Sequence, residues 1–159
     1  IGCAKCSGVC CTFVANSMQI TPVEAQDLYN FLVSENRFDA TELMKNAERF
    51  GLTRPEVGDG RRGFSRRRYT CPFKSDKNLG CTIPPKHKPY GCLGFNPQRE
   101  GAVEGDGCDS DQELLDRREN DEEIEQNIEL KSVLDIDWDK KEIPLALIDF
   151  DIKFRNSNT

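Results

Sequence analysis

Apolar residues at three- and four-residue spacing predict two amphipathic helices in the first third of the chain. The first helix begins with Thr21 as N-cap, since proline at N1 and glutamate at N3 complete a capping box, and it ends at Asn36. The second begins with Asp39 as N-cap, with glutamate three residues later, and ends at Gly51. The apolar faces consist of Ala25, Leu28, Tyr29, Leu32 and Val33 in the first helix and of Leu43, Met44, Ala47 and Phe50 in the second.

Other stretches predict short strands, turns and further helix. Apolar residues alternate with charged ones from Ile148 to Phe154, which predicts a half-buried strand. Extended segments are also predicted up to Ile20 and from Phe64 to Pro72. Turn residues and prolines predict a hairpin and then a rigid loop between Cys71 and Cys92. Sparse apolar positions in a charged run predict one or two surface helices between Asp111 and Leu134.

These elements predict a small single α+β domain over residues 1–159, with two N-terminal helices, a few short antiparallel strands and cysteine-rich loops organised around metal. A net charge of −6 argues against general attraction to nucleic acid or anionic lipid. No stretch approaches the roughly 20 apolar residues that cross a bilayer. We therefore expect no membrane partner.

The eight cysteines carry the strongest chemical signal. Four of them crowd into the first eleven residues as Cys-x-x-Cys-x-x-x-Cys-Cys, where the Cys-x-x-Cys turn brings two sulfurs to one ion. A disulfide framework would need four distant partners at one point, and the vicinal Cys10 and Cys11 cannot comfortably pair with each other. Metal ligation is therefore favoured over disulfides and over buried thiols. The candidate ligands are Cys3, Cys6, Cys10, Cys11, Cys71, Cys81, Cys92 and Cys108.

Eight thiolates would fill two tetrahedral sites or one polynuclear cluster. Soft sulfur ligands suit Zn²⁺, iron and iron–sulfur clusters alike, so the residues leave the metal open between zinc and iron. Cys71, Cys81 and Cys92 each adjoin a turn or a proline that fixes their direction, whereas spacing alone does not attach Cys108 to the site. The single histidine, His87, is expected to be solvated or hydrogen-bonded and not to be a ligand.

The order of motifs resembles the YkgJ family of CxxCxxxCC cysteine-cluster proteins, which are described as zinc- or iron-chelating. The motifs are the N-terminal cysteine cluster, Ile-Thr-Pro-Val-Glu-Ala at 20–25, Cys-Pro-Phe at 71–73, Gly-Cys-Thr-Ile at 80–83 and Lys-Pro-Tyr-Gly-Cys at 88–92. The resemblance covers residues 3–97 and implies that all eight cysteines are directed at metal, with Cys108 matching only by order. Leu93 stands where the family commonly has a basic residue, and the acidic extension 98–159 has no counterpart.

A basic run with interleaved aromatic residues is the other notable feature. It consists of Arg61, Arg62, Arg66, Arg67 and Arg68, with Phe64 and Tyr69 between and beside them. Such a composition is able to grip phosphates or a single nucleic-acid strand. Because the chain also holds 28 acidic residues, ion pairing within the protein is the favoured interpretation.

No Gly-rich phosphate loop, Ser/His/Asp set or HExxH helix is present, so no recognisable catalytic motif supports an enzyme. The favoured hypothesis is a cytoplasmic protein that chelates zinc or iron through thiolates, in a structural or sensing role. One alternative is an iron–sulfur enzyme or electron-transfer module, related to the lysine methylases described among the family's relatives. A second alternative is a nucleic-acid or protein adaptor that uses the run from Arg61 to Arg68. A metal ion is the expected partner, and no protein partner is indicated.

Overall fold

Four α-helices and two small antiparallel sheets lie within the part of the chain that the computed structural model describes: residues 16, 18–54, 67–75, 81–89, 92, 95–97, 108–110 and 123–158. The helices are α1 (Pro22–Ser34), α2 (Ala40–Arg49), α3 (Ile124–Leu134) and α4 (Ile143–Ser157). The strands are β1 (Gln19–Ile20), β2 (Phe95–Pro97), β3 (Cys108–Ser110) and β4 (Lys141–Glu142), and a 3₁₀ turn spans Pro85–His87. The predicted α+β class is confirmed.

Capping interactions begin α1 and α2 at the predicted residues. Thr21 Oγ1 accepts a hydrogen bond from the Glu24 N–H at 3.3 Å, and the Thr21 N–H donates to Glu24 Oε1 at 3.0 Å. Asp39 Oδ1 accepts from the Glu42 N–H at 3.1 Å and so caps α2. Gly51 adopts a φ of +72° just beyond α2, a backbone conformation that favours glycine. Both predicted N-terminal helices are confirmed.

The C-terminal segment is helical, so the predicted strand from Ile148 to Phe154 is wrong. The alternation of apolar and charged residues there belongs to a longer pattern of period 3.6, which begins at Ile143 and has Pro144 in the first turn. Packing of this apolar face against other helices outweighs the local alternation. The side chains that α4 buries are Ile143, Pro144, Ala146, Leu147, Phe150 and Asp151.

Short antiparallel strand pairs are present, as predicted. In the first sheet β1 pairs with β4, and Ile20 lies opposite Lys141. In the second sheet β2 pairs with β3, and Pro97 lies opposite Cys108. The first pair joins segments that are far apart in the sequence, whereas β2 and β3 are close along the chain. Both sheets are short, so they do not form a layer of their own.

Residues 67–72 form no strand, so the predicted strand from Phe64 to Pro72 is wrong over its described part, and residues 64–66 lie outside the described residues. The Tyr69 N–H donates to a single partner, Asn16 O, at 3.0 Å. Further along, an isolated antiparallel bridge lies within the predicted hairpin. Helix α3 confirms the surface helix predicted near Leu134, and residues 111–122 lie outside the described residues.

The core lies where α4 packs against α1 and α2. Phe150 is fully buried, and its ring centroid lies 5.1 Å from that of Tyr29. The Tyr29 hydroxyl donates to Asp151 Oδ1 at 2.8 Å, and Arg155 Nε donates to Asp151 Oδ2 at 3.0 Å, so the buried carboxylate is paired. None of the helices in the described ranges is long and apolar enough to cross a membrane.

Candidate functional site

Tyr69 fixes the start of the cysteine-bearing loops to the core. Its fully buried ring places a hydroxyl that donates to Met18 O at 2.6 Å and accepts from the Ile143 N–H at 3.0 Å. The second bond satisfies an N–H in the first turn of α4, where the side chain of the N-cap residue makes no capping hydrogen bond. Asn16 Nδ2 also donates to Tyr69 O at 2.9 Å. Cys71 follows two residues later and is thereby held at the edge of the core.

Cys71 and Cys81 lie on the two arms of a small hairpin. The Lys74 N–H donates to Cys71 O at 3.1 Å and closes a turn, and Lys74 forms the antiparallel bridge with Cys81. The Ile83 N–H donates to Cys81 Sγ at 3.4 Å. A backbone donor therefore orients this sulfur, as donors around metal-binding thiolates commonly do.

Contacts with α1 position the loop that leads to Cys92. His87 Nδ1 lies 3.3 Å from Asp27 Oδ2, and the imidazole stacks on the Phe31 ring with 4.5 Å between centroids. The Cys92 N–H donates to Pro89 O at 3.0 Å and closes a further turn. His87 is thus a hydrogen-bonded residue, as predicted, and it ties the loop to the helical core.

The sulfurs of Cys71, Cys81 and Cys92 influence one another electrostatically. Burial raises the pKa of the Cys92 thiol well above its ordinary value, and the sulfurs of Cys71 and Cys81 raise it further, because each disfavours another negative charge nearby. Glu24 acts in the same direction, and Lys88 acts in the opposite one. Three cysteines spread over 22 residues of sequence therefore share one environment.

Of these three cysteines, Cys71 is buried, and Cys81 and Cys92 are partly exposed free thiols. Within the described ranges, no three side chains of His, Cys, Asp or Glu are grouped so as to hold a metal ion. For Cys108 only the backbone is described, in β3. The remaining predicted ligands lie outside the described residues: Cys3, Cys6, Cys10 and Cys11.

Arg67 has an internal partner, as the favoured interpretation of the basic run predicts. Its Nη2 lies 3.3 Å from Glu142 Oε1, and its Nη1 donates to Gly51 O at 3.2 Å and to Arg54 O at 2.6 Å. This guanidinium therefore joins the 67–75 segment to β4 and to the end of α2. The members of the basic run that lie outside the described residues are Arg61, Arg62, Phe64 and Arg66.

No local spacing in the sequence identifies Asn16 and Tyr69 as the residues that hold Cys71 in place. They are 53 residues apart, and the third partner, Ile143, is 74 residues beyond Tyr69. The only local signal is a tyrosine two positions before a cysteine, which also fits an ordinary buried aromatic residue.

No family model matches the chain, and no curated protein or solved structure matches it either. The candidate site therefore depends on the geometry of the described loops and on the spacing of the cysteines. The resemblance to the YkgJ family stays a prediction from the motifs.

Proposed function

We propose that the protein binds a thiophilic metal ion, zinc or iron, through cysteine thiolates, in a structural or sensing role. The ion would join loops that otherwise contact the core through a few residues. The resemblance of residues 3–97 to the YkgJ family is in keeping with this function. The proposed ligands are Cys71, Cys81 and Cys92 together with Cys3, Cys6, Cys10, Cys11 and Cys108.

The observation that carries the proposal is that the sulfurs of Cys71 and Cys81 are near enough to act electrostatically on the buried thiol of Cys92. Without a cation, a Cys92 thiolate would lose hydration and be repelled by its neighbours, so the raised pKa favours the protonated thiol. A divalent cation reverses this preference because it accepts sulfur lone pairs and neutralises their charge. The backbone N–H that donates to Cys81 Sγ suits a charged, metal-bound sulfur better than a neutral thiol.

Chain connectivity supports a ligand set that joins the two ends of the motif series. Asn16 and Tyr69 are linked by two hydrogen bonds. Cys11 precedes Asn16 by five residues, and Cys71 follows Tyr69 by two. Because five residues span at most about 18 Å, chain connectivity limits how far Cys11 can lie from Asn16, which is hydrogen-bonded to Tyr69.

The second sheet brings Cys108 under a similar limit. Cys108 in β3 lies opposite Pro97 in β2, and Cys92 precedes Pro97 by five residues. The backbone of Cys108 is therefore tethered within roughly 20 Å of Cys92, as judged from the reach of an extended chain. This link supplies a reason, absent from spacing alone, to include Cys108 in the proposed ligand set.

Elemental analysis with an absorption spectrum of anaerobically purified protein tests the proposal. We expect about one or two zinc ions per chain if the thiolates form tetrahedral sites, and about two or four irons for each iron–sulfur cluster if they hold one. Visible absorption together with iron and sulfide would identify an iron–sulfur cluster, whereas colourless protein that contains zinc would identify a zinc site.

Paired variants connect the metal to particular cysteines. Cys71→Ser/Cys92→Ser should reduce the bound metal by at least about half, because serine oxygen is a poor ligand for soft metals. Lys86→Gln, an exposed change in the same loop, should retain the wild-type metal content. Metal-free protein after anaerobic purification from zinc- and iron-supplemented cells would contradict the proposal, as would equal metal content in the double serine variant.

A further inference from the structure

A cleft of about 690 Å³ opens between α2 and the hairpin that carries Cys71. This volume is typical of sites for small organic molecules, which range over about 300–1,000 Å³. Four cationic and two acidic side chains line the cleft beside an apolar floor. The apolar lining consists of Leu32, Leu43, Phe50 and Phe73.

Both carboxylates that line the cleft already have hydrogen-bond partners in α2. Asp39 accepts the capping hydrogen bond at the start of the helix. Glu42 Oε1 accepts from Lys45 Nζ at 3.3 Å. Among the described residues, no carboxylate lies within ion-pairing distance of the remaining three cations, which are Arg37, Arg49 and Lys74.

Neutral partners hold the two guanidinium groups of the cleft. Arg37 Nη1 donates to Thr82 O at 3.1 Å, and its Nη2 donates to Thr82 Oγ1 at 2.9 Å. The Arg37 guanidinium also lies 5.6 Å from the Phe31 ring centroid, and that of Arg49 lies 5.5 Å from the Phe50 centroid. These contacts orient the cations without neutralising them. In a chain with a net charge of −6, the cleft thus concentrates pre-organised positive charge.

We propose that this cleft binds an organic oxyanion, a small molecule whose phosphate or carboxylate group pairs with Arg37, Arg49 and Lys74. Planar guanidinium groups match the paired oxygens of either anion, and the apolar floor suits an organic body. Cys71 also lines the cleft, so the ligand lies beside the proposed metal centre. The site does not depend on the metal, because none of its cations belongs to the proposed ligand set.

Isothermal titration with pyrophosphate and with citrate, at constant ionic strength, tests the proposal and separates the two kinds of anion. We expect saturable binding of at least one probe with a Kd of about 1 mM or tighter. Arg49→Gln/Lys74→Gln should weaken that binding by at least about tenfold, because it removes two charges next to the anion. Arg37→Lys keeps the charge but loses the planar guanidinium group, which can pair with two oxygens at once. It should weaken binding by about threefold or more.

The matched control is Lys86→Gln/Lys153→Gln, which removes the same charge outside the cleft. It should bind the probe within about twofold of the wild type, since solvent and salt screen charges that are distant from the cleft. The proposal is overturned if neither probe binds saturably up to about 10 mM, the weak end of specific small-ligand affinity. It is equally overturned if the cleft variant and the control lose affinity to the same extent.

Discussion

In the helical core, α4 buries a whole face of side chains, Leu147 and Phe150 among them, whereas the segments 67–75 and 81–89 add only a few buried apolar residues, such as Tyr69 and Ile83. The core is therefore stabilised by burial of apolar area, which is spread over many contacts. The cysteine-bearing segments bury fewer apolar side chains, and individual hydrogen bonds and ion pairs also hold them in place.

Three anchors illustrate the difference between the two regions. Tyr69 joins the hairpin to the start of α4, Asp27 holds His87 against α1, and Thr82 binds the guanidinium of Arg37. Each anchor is a polar contact at one point, so removing its polar group loosens a loop and leaves the apolar side chains of the core in place. The core thus provides a fixed frame, and the loops are the region in which a bound ion would add the most order.

Removing a large core side chain should have the largest effect. Phe150→Ala leaves a cavity at a fully buried position and should lower the free energy of unfolding by about 3–5 kcal/mol. Chemical denaturation followed by circular dichroism measures the change. Ile152→Ala on the same helix, where the side chain is 43% exposed, should cost less than about 1 kcal/mol. Similar costs for the two variants would contradict the assignment of Phe150 to the core.

Tyr69→Phe should have the next largest effect, and it should affect both regions. Loss of the hydroxyl leaves Met18 O and the Ile143 N–H without this partner, and should destabilise the protein by about 2–3 kcal/mol. Because Cys71 follows two residues later, the variant should also bind zinc more weakly than the wild type in a competition titration with a chelator. Tyr29→Phe, whose hydroxyl pairs within the core, should leave zinc affinity unchanged. Equal zinc affinity in all three proteins would refute Tyr69 as the link between the regions.

The sequence predicts the start of the fold well because the signals there are local. The capping residues Thr21 and Asp39 make their hydrogen bonds with residues three positions away. A short stretch of sequence is therefore enough to predict where each helix begins. The C-terminal helix is different, since seven residues from Ile148 onward fit a strand when taken alone. Only the longer stretch from Ile143 reveals the helical period, and tertiary packing decides between the two.

In the candidate site, too, local sequence patterns predict some features, and tertiary packing determines the others. Motif spacing groups Cys71, Cys81 and Cys92 as one set, and in the structure the sulfurs of Cys71 and Cys81 act electrostatically on Cys92. Motif spacing does not predict the residues that hold these cysteines in place, because the contact between Tyr69 and Ile143 spans 74 residues. A hydrogen bond of that kind depends on how the helices pack, which single-sequence periodicity does not contain.

Tyr29 offers a smaller, pH-dependent test confined to the core. Its pKa is raised to about 12, first because burial disfavours the phenolate and then because its hydroxyl donates to the Asp151 carboxylate. Tyr29→Phe should cost about 1.5 kcal/mol near neutral pH. Since the folded-state pKa is above that of the unfolded chain, this contribution is complete below about pH 10 and is lost as the pH rises towards 12.

Denaturation of wild type and Tyr29→Phe between neutral and strongly alkaline pH checks this expectation. The difference in free energy of unfolding should stay constant up to about pH 10 and then shrink. Taking the difference between the two proteins cancels the titration of other groups. Ile152→Ala, which alters no titratable group, should differ from the wild type by a constant amount over the same range. A difference for Tyr29→Phe that grows with pH would contradict the assigned direction of the shift.

The smallest effect is expected at the contact between Asp27 and His87, where the two side chains are 54% and 23% exposed. Asp27→Asn keeps the shape but removes the charge, and should cost only about 0.2–1 kcal/mol. In metal-free protein this loss should appear locally, as hydrogen exchange about two- to fivefold faster at the His87 and Cys92 amides. Amides of α4 should keep their wild-type rates, because the core does not depend on this contact.

Adding zinc sharpens the test, because an ion bound through Cys81 and Cys92 would hold both ends of the same loop. The exchange difference between wild type and Asp27→Asn should then disappear, since local opening would require breaking metal–sulfur bonds. Glu48→Gln, an exposed acidic change on α2, should match the wild type with and without zinc. If Asp27→Asn instead speeds exchange throughout α1 and α4, the loop and the core open as one unit, and the division between the two regions is wrong.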